Sequence, residues 1–260
     1  MTAFSALALG IVQGITEFLP ISSSAHLALL HWITGWTHTP AEDLIFDVAL
    51  HFGTLVAILI YFARDWVDFF KRRDRLVAYV LVACVPGALA GLKFEEAAET
   101  VFRNPLHIAA LLALMGLVLA AAERWGKRVR ELSEMRWGEA ITIGVAQALA
   151  IMPGVSRAGI TMTAGLFSGL SREAAARFSF LLATPILLGA TLWKCRHLFS
   201  GGLGTGMPPI IIGVLASAIT GLACIHFLLQ FLRRHTFYPF VIYRLVLAAV
   251  VVAVVVTRGQ

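Results

Sequence analysis

Six long apolar runs dominate the chain, and short polar or basic segments separate them. The runs cover 44–63, 76–92, 105–122, 178–193, 210–232 and 240–257. Each run is close to the roughly 20 residues with which an α-helix crosses about 30 Å of hydrocarbon. The pattern therefore predicts an all-α polytopic membrane protein with about six transmembrane helices.

Two further segments are apolar but are interrupted by polar residues, proline and glycine. Residues 4–19 make only about 24 Å of helix before Pro20 and a run of serines break it. The segment 139–170 is broken in the same way at Pro153. Because non-helical backbone at membrane depth persists only where it is buried in protein or lines a wet cavity, we predict two re-entrant helical hairpins.

The second hairpin repeats the sequence pattern of the first. The Gly-Ile-Val-Gln sequence at 10–13 recurs as Gly-Val-Ala-Gln at 144–147, and each glutamine is followed by an apolar stretch, a proline and a hydroxyl-rich turn. Three predicted spans follow each hairpin. We therefore divide the single membrane domain, 1–260, into two repeats at approximately 1–123 and 138–258.

The basic residues are distributed unevenly between the two sides of this topology. Fourteen of the 21 Lys and Arg residues lie in four segments, namely 64–75, 124–137, 171–177 and 233–235. Cytoplasmic loops carry an excess of Lys and Arg, so we assign these segments to the cytoplasm. The first hairpin then enters from outside and the second from the cytoplasm. This is an inverted-topology repeat, which places a site near the bilayer midplane.

The composition agrees with a membrane protein and excludes a soluble domain as its main body. Hydrophobic residues make up 59% of the chain and charged residues 14%, whereas soluble proteins average about a quarter charged. The net charge of +6 lies at the ends of the spans, where it sets orientation and contacts lipid head groups. We therefore expect membrane lipid, and no nucleic acid, as a partner.

The polar residues of the first hairpin form a candidate site. Gln13 and Glu17 are four residues apart and share a helix face. A carboxylate at this depth is costly unless it faces a cavity, a cation or a metal, although a Glu of a short N-terminal helix can also extend to the interface. The candidate site therefore rests on what else lies near Glu17.

Three serines and a histidine follow Pro20, where a new half-helix begins. Helix-start amides form an anion site, and the alternative for Ser22 and Ser24 is a simple helix cap. Ser23 is three residues from His26, which is near enough to act as a base toward a hydroxyl or a water, or is structural.

The second hairpin supplies a cation. Arg157 lies between hydroxyl residues in a glycine-flanked turn, and its planar fork suits phosphate oxygens. Gly154 allows a close backbone approach to an anion. The alternative is that Arg157 pairs structurally with Glu17 or with carbonyls. Taken together, the two hairpins suit phosphate chemistry better than sugar or amino-acid transport.

Four other polar residues have simpler interpretations. Asp47 and His51 share a helix face, where they either line the cavity or support each other. We expect Arg244 to extend to the inner interface from the last span. Glu123 alternates with basic residues, which predicts a solvated loop face.

These motifs give the chain a resemblance to the undecaprenyl-diphosphatase family, the bacitracin-resistance type of integral-membrane lipid phosphatase. Residues 13–17 match its (Glu/Gln)-x-x-x-Glu motif, which continues as Phe-Leu-Pro-Ile-Ser-Ser-Ser-Ala-His. Residues 153–161 match its Pro-Gly-x-Ser-Arg-Ser-x-x-Thr motif, except that Ala158 replaces the second serine. The segment 177–185 is similar to a further family signature. The resemblance covers nearly the whole length.

The resemblance implies removal of the terminal phosphate from undecaprenyl diphosphate, an isoprenoid diphosphate lipid, to regenerate the carrier lipid for cell-wall synthesis. It implies a multi-pass protein of the bacterial inner membrane and leaves a homodimer open. The implied catalytic residues are Glu17, Ser23, His26 and Arg157. The implied substrate-binding residues are Ser22, Gly154, Ser156 and Thr161.

The family pattern also implies a division of labour within this set. Glu17 and Gln13 would serve a divalent cation, Mg²⁺ or Ca²⁺. Ser23 or a water would attack the phosphorus, and His26 would handle the proton. The rival interpretation is a secondary transporter or flippase for a phosphorylated lipid, because inverted repeats with broken helices are typical of transporters.

Overall fold

The computed structural model describes residues 2–35, 40–72, 74–101, 104–198 and 207–258. These residues form helices and connecting turns, with no β-strand among them. The helices are α1 (Ala3–Phe18), α2 (Ser23–Thr34), α3 (Pro40–Tyr61), α4 (Ala63–Arg72), α5 (Arg75–Val101), α6 (Pro105–Trp125), α7 (Trp137–Gln147), α8 (Arg157–Phe167), α9 (Arg172–Leu198), α10 (Met207–Leu232) and α11 (Tyr238–Arg258).

The long apolar helices confirm the polytopic membrane architecture. Within the described ranges, five helices (α5, α6, α9, α10 and α11) are long and apolar enough to cross a bilayer. Helix α3 gives a sixth span if it is taken together with α4, to which it is joined at a bend of 63°. All six spans lie where the apolar runs of the sequence predict them.

Two segments that follow predicted spans are helical. The basic run after α3 forms α4, in which Trp66 and Phe69 pack against the core while Arg64, Asp68 and Lys71 are exposed. Such a helix lies along a membrane interface. The acidic segment 95–99 lies within the range of α5, because glutamate and alanine are strong helix formers.

Both broken segments form pairs of short helices. Helix α1 has 16 residues and α7 has 11, which is too short to cross the hydrocarbon region. Residues 19–22 connect α1 to α2, and residues 148–156, which include a 3₁₀ turn, connect α7 to α8. The helices of these two hairpins meet the expectation of re-entrant elements in their length and in the position of their breaks.

The two halves of the chain pack reciprocally. Helix α1 packs against α10 of the second half, and α7 packs against α5 of the first. In the same way, α3 contacts α10 and α9 contacts α5, and the corresponding helices also meet, since α3 contacts α9 and α6 contacts α11. An inverted repeat requires this reciprocity. The repeat boundaries at 1–123 and 138–258 stay a prediction.

Glycines make the contacts of α1 and α7 close. A Cβ added to Gly14 would lie 2.5 Å from the carbonyl oxygen of Ser217 in α10. A Cβ added to Gly144 would lie 2.7 Å from the Cα atom of Ala83 in α5. Small residues allow such backbone approach between helices in a membrane, where lipid supplies no hydrophobic drive. These contacts fix the depth and rotation of each hairpin.

A buried glutamate joins three helices at the side of the basic loops. Glu123, at the end of α6, is 2% exposed and accepts hydrogen bonds from Arg128 and from Arg172 of α9. It also accepts the amide of Phe237, in the turn before α11, at 3.4 Å. The prediction of a solvated loop face is therefore wrong for Glu123, because these three donors replace water.

The glycine contact of α1 predicts a specific effect on stability. We expect Gly14→Ala to lower the free energy of unfolding by about 1–3 kcal/mol, the usual cost of overpacking, because the added methyl group would press on the α10 backbone. Thermal unfolding of the purified protein in detergent measures this. The matched control is Gly91→Ala in α5, where an added Cβ meets no atom within 4 Å. Equal stability of the two variants would contradict the packing described here.

Candidate active site

The tips of the two hairpins, residues 19–22 and 152–156, end in serines of similar backbone conformation. Ser22 precedes α2 with φ of 76° and Ser156 precedes α8 with φ of 72°, and each accepts an amide three residues further on. Positive φ costs a non-glycine residue about 1–3 kcal/mol and persists only where the surroundings fix it. The amide of Gly154 donates to the Ser22 hydroxyl at 3.1 Å, so each tip helps to fix the other.

The contact between the tips brings two helix N-termini together. Helix α2 begins at Ser23 and helix α8 begins at Arg157. The first amides of a helix have no partner within the helix, and its N-terminus carries a partial positive charge. Two such ends in one place, with a guanidinium on one of them, offer the donors from which anion-binding sites are built.

Glu17, at the end of α1, is the centre of the polar cluster. Its Oε2 atom accepts the Ser23 hydroxyl at 2.6 Å and the Gln13 amide nitrogen at 3.1 Å. Its Oε1 atom accepts Nη2 of Arg157 at 3.2 Å. Nε2 of His51 lies 4.0 Å from Oε2. The Glu17 side chain is only 6% exposed, so these contacts replace most of its hydration.

The contacts with Glu17 indicate what Ser23 and Arg157 can do chemically. The Ser23 hydroxyl points its proton at a carboxylate, which is the arrangement that activates a serine oxygen. Arg157 balances the Glu17 charge, as one of the alternatives from the sequence has it. The buried Nε of Arg157 has no acceptor in the described part of the chain, so the guanidinium retains a donor for a ligand.

Thr161 and Ser179 bind Arg157 and hold it in position. Nη1 of Arg157 donates to the Ser179 carbonyl at 3.2 Å, and the hydroxyls of Thr161 and Ser179 are 2.7 Å apart. Thr161 is 1% exposed and also donates to the Arg157 carbonyl at 2.8 Å. Ser179, which the sequence did not single out, lies in the 177–185 segment that carries the third family signature.

The expected substrate-binding residues are engaged within the protein. The hydroxyls of Ser22 and Ser156 cap helices, Gly154 joins the tips, and Thr161 supports Arg157. Direct phosphate contacts of these four residues stay predictions. Their observed contacts position the groups that face the site.

His26 makes its hydrogen bonds away from Ser23. Its Nδ1 lies 2.7 Å from the Ser22 carbonyl, and its Nε2 lies 2.7 Å from the hydroxyl of Tyr243 in α11. The two rings are stacked, with 5.6 Å between their centroids. Both ring nitrogens have these other partners and the Ser23 hydroxyl bonds Glu17, so His26 makes no hydrogen bond to Ser23 in this arrangement; its catalytic role stays a prediction.

Arg244 lies at the junction of the hairpins and is fully buried. Its guanidinium donates to carbonyl oxygens on both tips, those of Pro20 and Gly154, at 3.1 and 2.7 Å. The expectation that Arg244 extends to the inner interface is therefore wrong, because its donors are satisfied inside the protein. The sequence does carry a signal for Arg244, because an ionisable residue inside a membrane span marks a candidate functional site by default.

The oxygen atoms of Gln13 and Glu17 fit a hard divalent cation. Oε1 of Gln13 is buried and has no hydrogen-bond partner among the described residues, and it lies on the helix face of Glu17. The described ranges contain no cluster of three or more His, Cys, Asp or Glu side chains suited to a metal. A cation held here would therefore depend on Gln13, Glu17 and substrate phosphate oxygens, which is a common arrangement for Mg²⁺.

Comparison with known proteins connects this site to one family. A family model described as bacitracin resistance protein BacA matches residues 6–250. An undecaprenyl-diphosphatase of Moorella thermoacetica is 49% identical, with 98% of each chain covered. Proteins of the same name from Desulforudis audaxviator and Pelotomaculum thermopropionicum are 46% and 47% identical, and the matches cover 98% or more of each chain.

Proposed function

We propose, from the premise that this chain belongs to the bacitracin resistance protein BacA family, that it hydrolyses undecaprenyl diphosphate to undecaprenyl phosphate and inorganic phosphate. The protein is thus a membrane-embedded phosphatase that recycles the carrier lipid of cell-wall synthesis. Relatives of this name match the chain along essentially its full length.

One contact carries the mechanism, namely the bond of 2.6 Å between the Ser23 hydroxyl and Oε2 of Glu17. Ser23 Oγ forms a bond to the terminal phosphorus as its proton passes to Glu17. The bond between that phosphorus and the bridging oxygen breaks, and undecaprenyl phosphate leaves with the electron pair. Glu17 passes this proton to the departing undecaprenyl phosphate and is again a carboxylate. Water then attacks the phosphoserine and gives a proton to Glu17, which returns it to the Ser23 oxygen as the bond between that oxygen and phosphorus breaks and inorganic phosphate leaves.

The surrounding groups stabilise the charge of the transferring phosphoryl group. Phosphoryl transfer depends on positioning and electrostatic stabilisation more than on covalent chemistry. Arg157 and the first amides of α2 and α8 offer preorganised donors, and the Arg157 side chain is largely shielded from water, which strengthens its interactions. Arg157 is held in place by the Ser179 carbonyl while it retains a free donor.

A divalent cation, Mg²⁺ or Ca²⁺, completes the proposal. Gln13 and Glu17 would hold it, and when bound it supplies positive charge to the diphosphate oxygens. The unpartnered Oε1 of Gln13 supports this assignment.

The rival function, a transporter or flippase, is not favoured. Carrying a diphosphate lipid across the membrane makes no use of a serine hydroxyl on a carboxylate, whereas hydrolysis can use it as an activated nucleophile. The relatives are named as diphosphatases, which agrees with hydrolysis.

Localisation and assembly extend the proposal. The chain is a multi-pass membrane protein, and we place it in the bacterial inner membrane because its proposed product serves cell-wall synthesis there. Separation of inner and outer membranes checks this, and recovery in the outer membrane would contradict it. The assembly that we propose is a homodimer, which a monomeric mass in detergent and in lipid nanodiscs would contradict.

The proposed roles predict the effect of three substitutions. We expect Glu17→Gln, Ser23→Ala and Arg157→Ala each to lower kcat for phosphate release by about 100-fold or more, the scale of losing one essential transition-state donor or base. The assay uses purified protein in detergent with undecaprenyl diphosphate. Thr34→Ala, at the exposed end of α2, is the matched control and keeps normal turnover.

Each of these variants tests a separate claim. Normal turnover of folded Glu17→Gln or Arg157→Ala would overturn the site. Normal turnover of Ser23→Ala would transfer the attack from Ser23 to a water molecule.

The proposed cation predicts that a chelator inhibits phosphate release. We expect a chelator to abolish phosphate release and added Mg²⁺ or Ca²⁺ to restore it. Gln13→Ala should raise the cation concentration needed for half-maximal activity, because it removes one of the two oxygen ligands from the protein. Full activity after exhaustive chelation would contradict the assignment of a cation to Gln13 and Glu17.

A further inference from the structure

We infer that Arg244 is a positioning residue of the active site, which holds the two hairpin tips in register so that Ser23 and Arg157 meet at Glu17. The inference rests on the proposed function and adds a residue that belongs to neither hairpin. Arg244 lies on α11, and its side chain has no exposed surface.

The guanidinium connects three separate segments of the chain. Nη1 donates to the Pro20 carbonyl of the first tip at 3.1 Å, and Nη2 donates to the Gly154 carbonyl of the second tip at 2.7 Å. Nη2 also reaches the Val155 carbonyl at 3.2 Å, and Nε donates to the Leu112 carbonyl of α6 at 3.1 Å. The planar fork of arginine can make these divergent bonds at once, which a lysine ammonium cannot do in the same geometry.

The hydrogen-bond partners of Arg244 indicate that it holds main-chain segments in place. All of them go to main-chain carbonyl oxygens, and none goes to a carboxylate of the described chain. A buried charge is costly to desolvate, and a well-packed apolar residue of similar volume is often at least as stabilising. An apolar residue, however, could not donate hydrogen bonds to the carbonyl oxygens of the turns, and at membrane depth these oxygens have no water to bind.

The surrounding helices leave a slot that fits this side chain. A Cβ added to Gly159 of α8 would lie 2.9 Å from Nη1 of Arg244, and one added to Gly116 of α6 would lie 3.4 Å from its Cβ. The preceding residue, Tyr243, binds His26 on α2. Helix α11 therefore contacts α2 and both tips through two consecutive residues.

Small movements of the tips would change the catalytic contacts. Ser23 follows the first tip directly and Arg157 follows the second, and both bind Glu17. A misplacement of about 1 Å costs on the order of 100-fold in rate when reacting groups must be aligned. Loss of Arg244 should therefore reduce kcat more than it reduces substrate binding.

The test compares Arg244→Met and Arg244→Lys with Arg258→Met, a matched control at the exposed end of the same helix. Phosphate release from undecaprenyl diphosphate by purified protein is measured per folded molecule, with the melting temperature recorded for each variant. We expect Arg244→Met to lower kcat by about 100-fold and to leave KM within a few-fold of wild type. Arg244→Lys should recover part of the kcat, and Arg258→Met should match wild type.

The outcomes separate positioning from a purely structural role. Wild-type kcat per folded molecule in both Arg244 variants would overturn the inference, even if their melting temperatures fall. If Arg244→Met does not fold, wild-type kcat in folded Arg244→Lys overturns it, whereas reduced kcat at similar KM supports it. A wild-type protein that releases no phosphate would instead overturn the proposed function, and the inference with it.

Discussion

Backbone polar groups that leave a helix at membrane depth must find partners inside the protein, and this constraint shapes the whole site. The two hairpin tips satisfy this constraint largely by forming hydrogen bonds with each other. Gly154 donates to the Ser22 hydroxyl, the serines at the two breaks cap their own helices, and Arg244 binds carbonyl oxygens of both tips. Because the turns satisfy one another, two strained serines and two helix N-termini are held side by side.

The chemistry follows from this arrangement. Two helix N-termini and an arginine create a positive environment, and Glu17 from α1 enters it as a carboxylate that contacts both Arg157 and Ser23. A carboxylate that is balanced by arginine on one oxygen can still accept a proton on the other. In the proposed mechanism, the same contacts that make the interruption of the helices tolerable therefore also prepare a serine for attack on a phosphate.

Much of this could be predicted from the sequence, because the relevant signals are local. Spans, hairpins and the motif residues around Glu17 and Arg157 follow from apolar length, breakers and spacing, and the structure brings Glu17, Ser23 and Arg157 together. The directions of long side chains could not be predicted. Arg244 and Glu123 turn inward because carbonyl oxygens and donors far away in the sequence bind them. The charge inside a span marks Arg244 as a candidate, but no local pattern gives the direction or the partners of either side chain.

The reciprocal packing of the halves also has a consequence for biogenesis. Helix α1 begins at Ala3, yet the surface that it packs against, α10, begins at Met207, and Arg244 follows later still. During synthesis the first hairpin therefore exists for most of the time without its docking groove. The catalytic centre can close only after the ribosome has delivered the final spans, so the first hairpin must wait at the translocon or in the lipid until the last helices arrive.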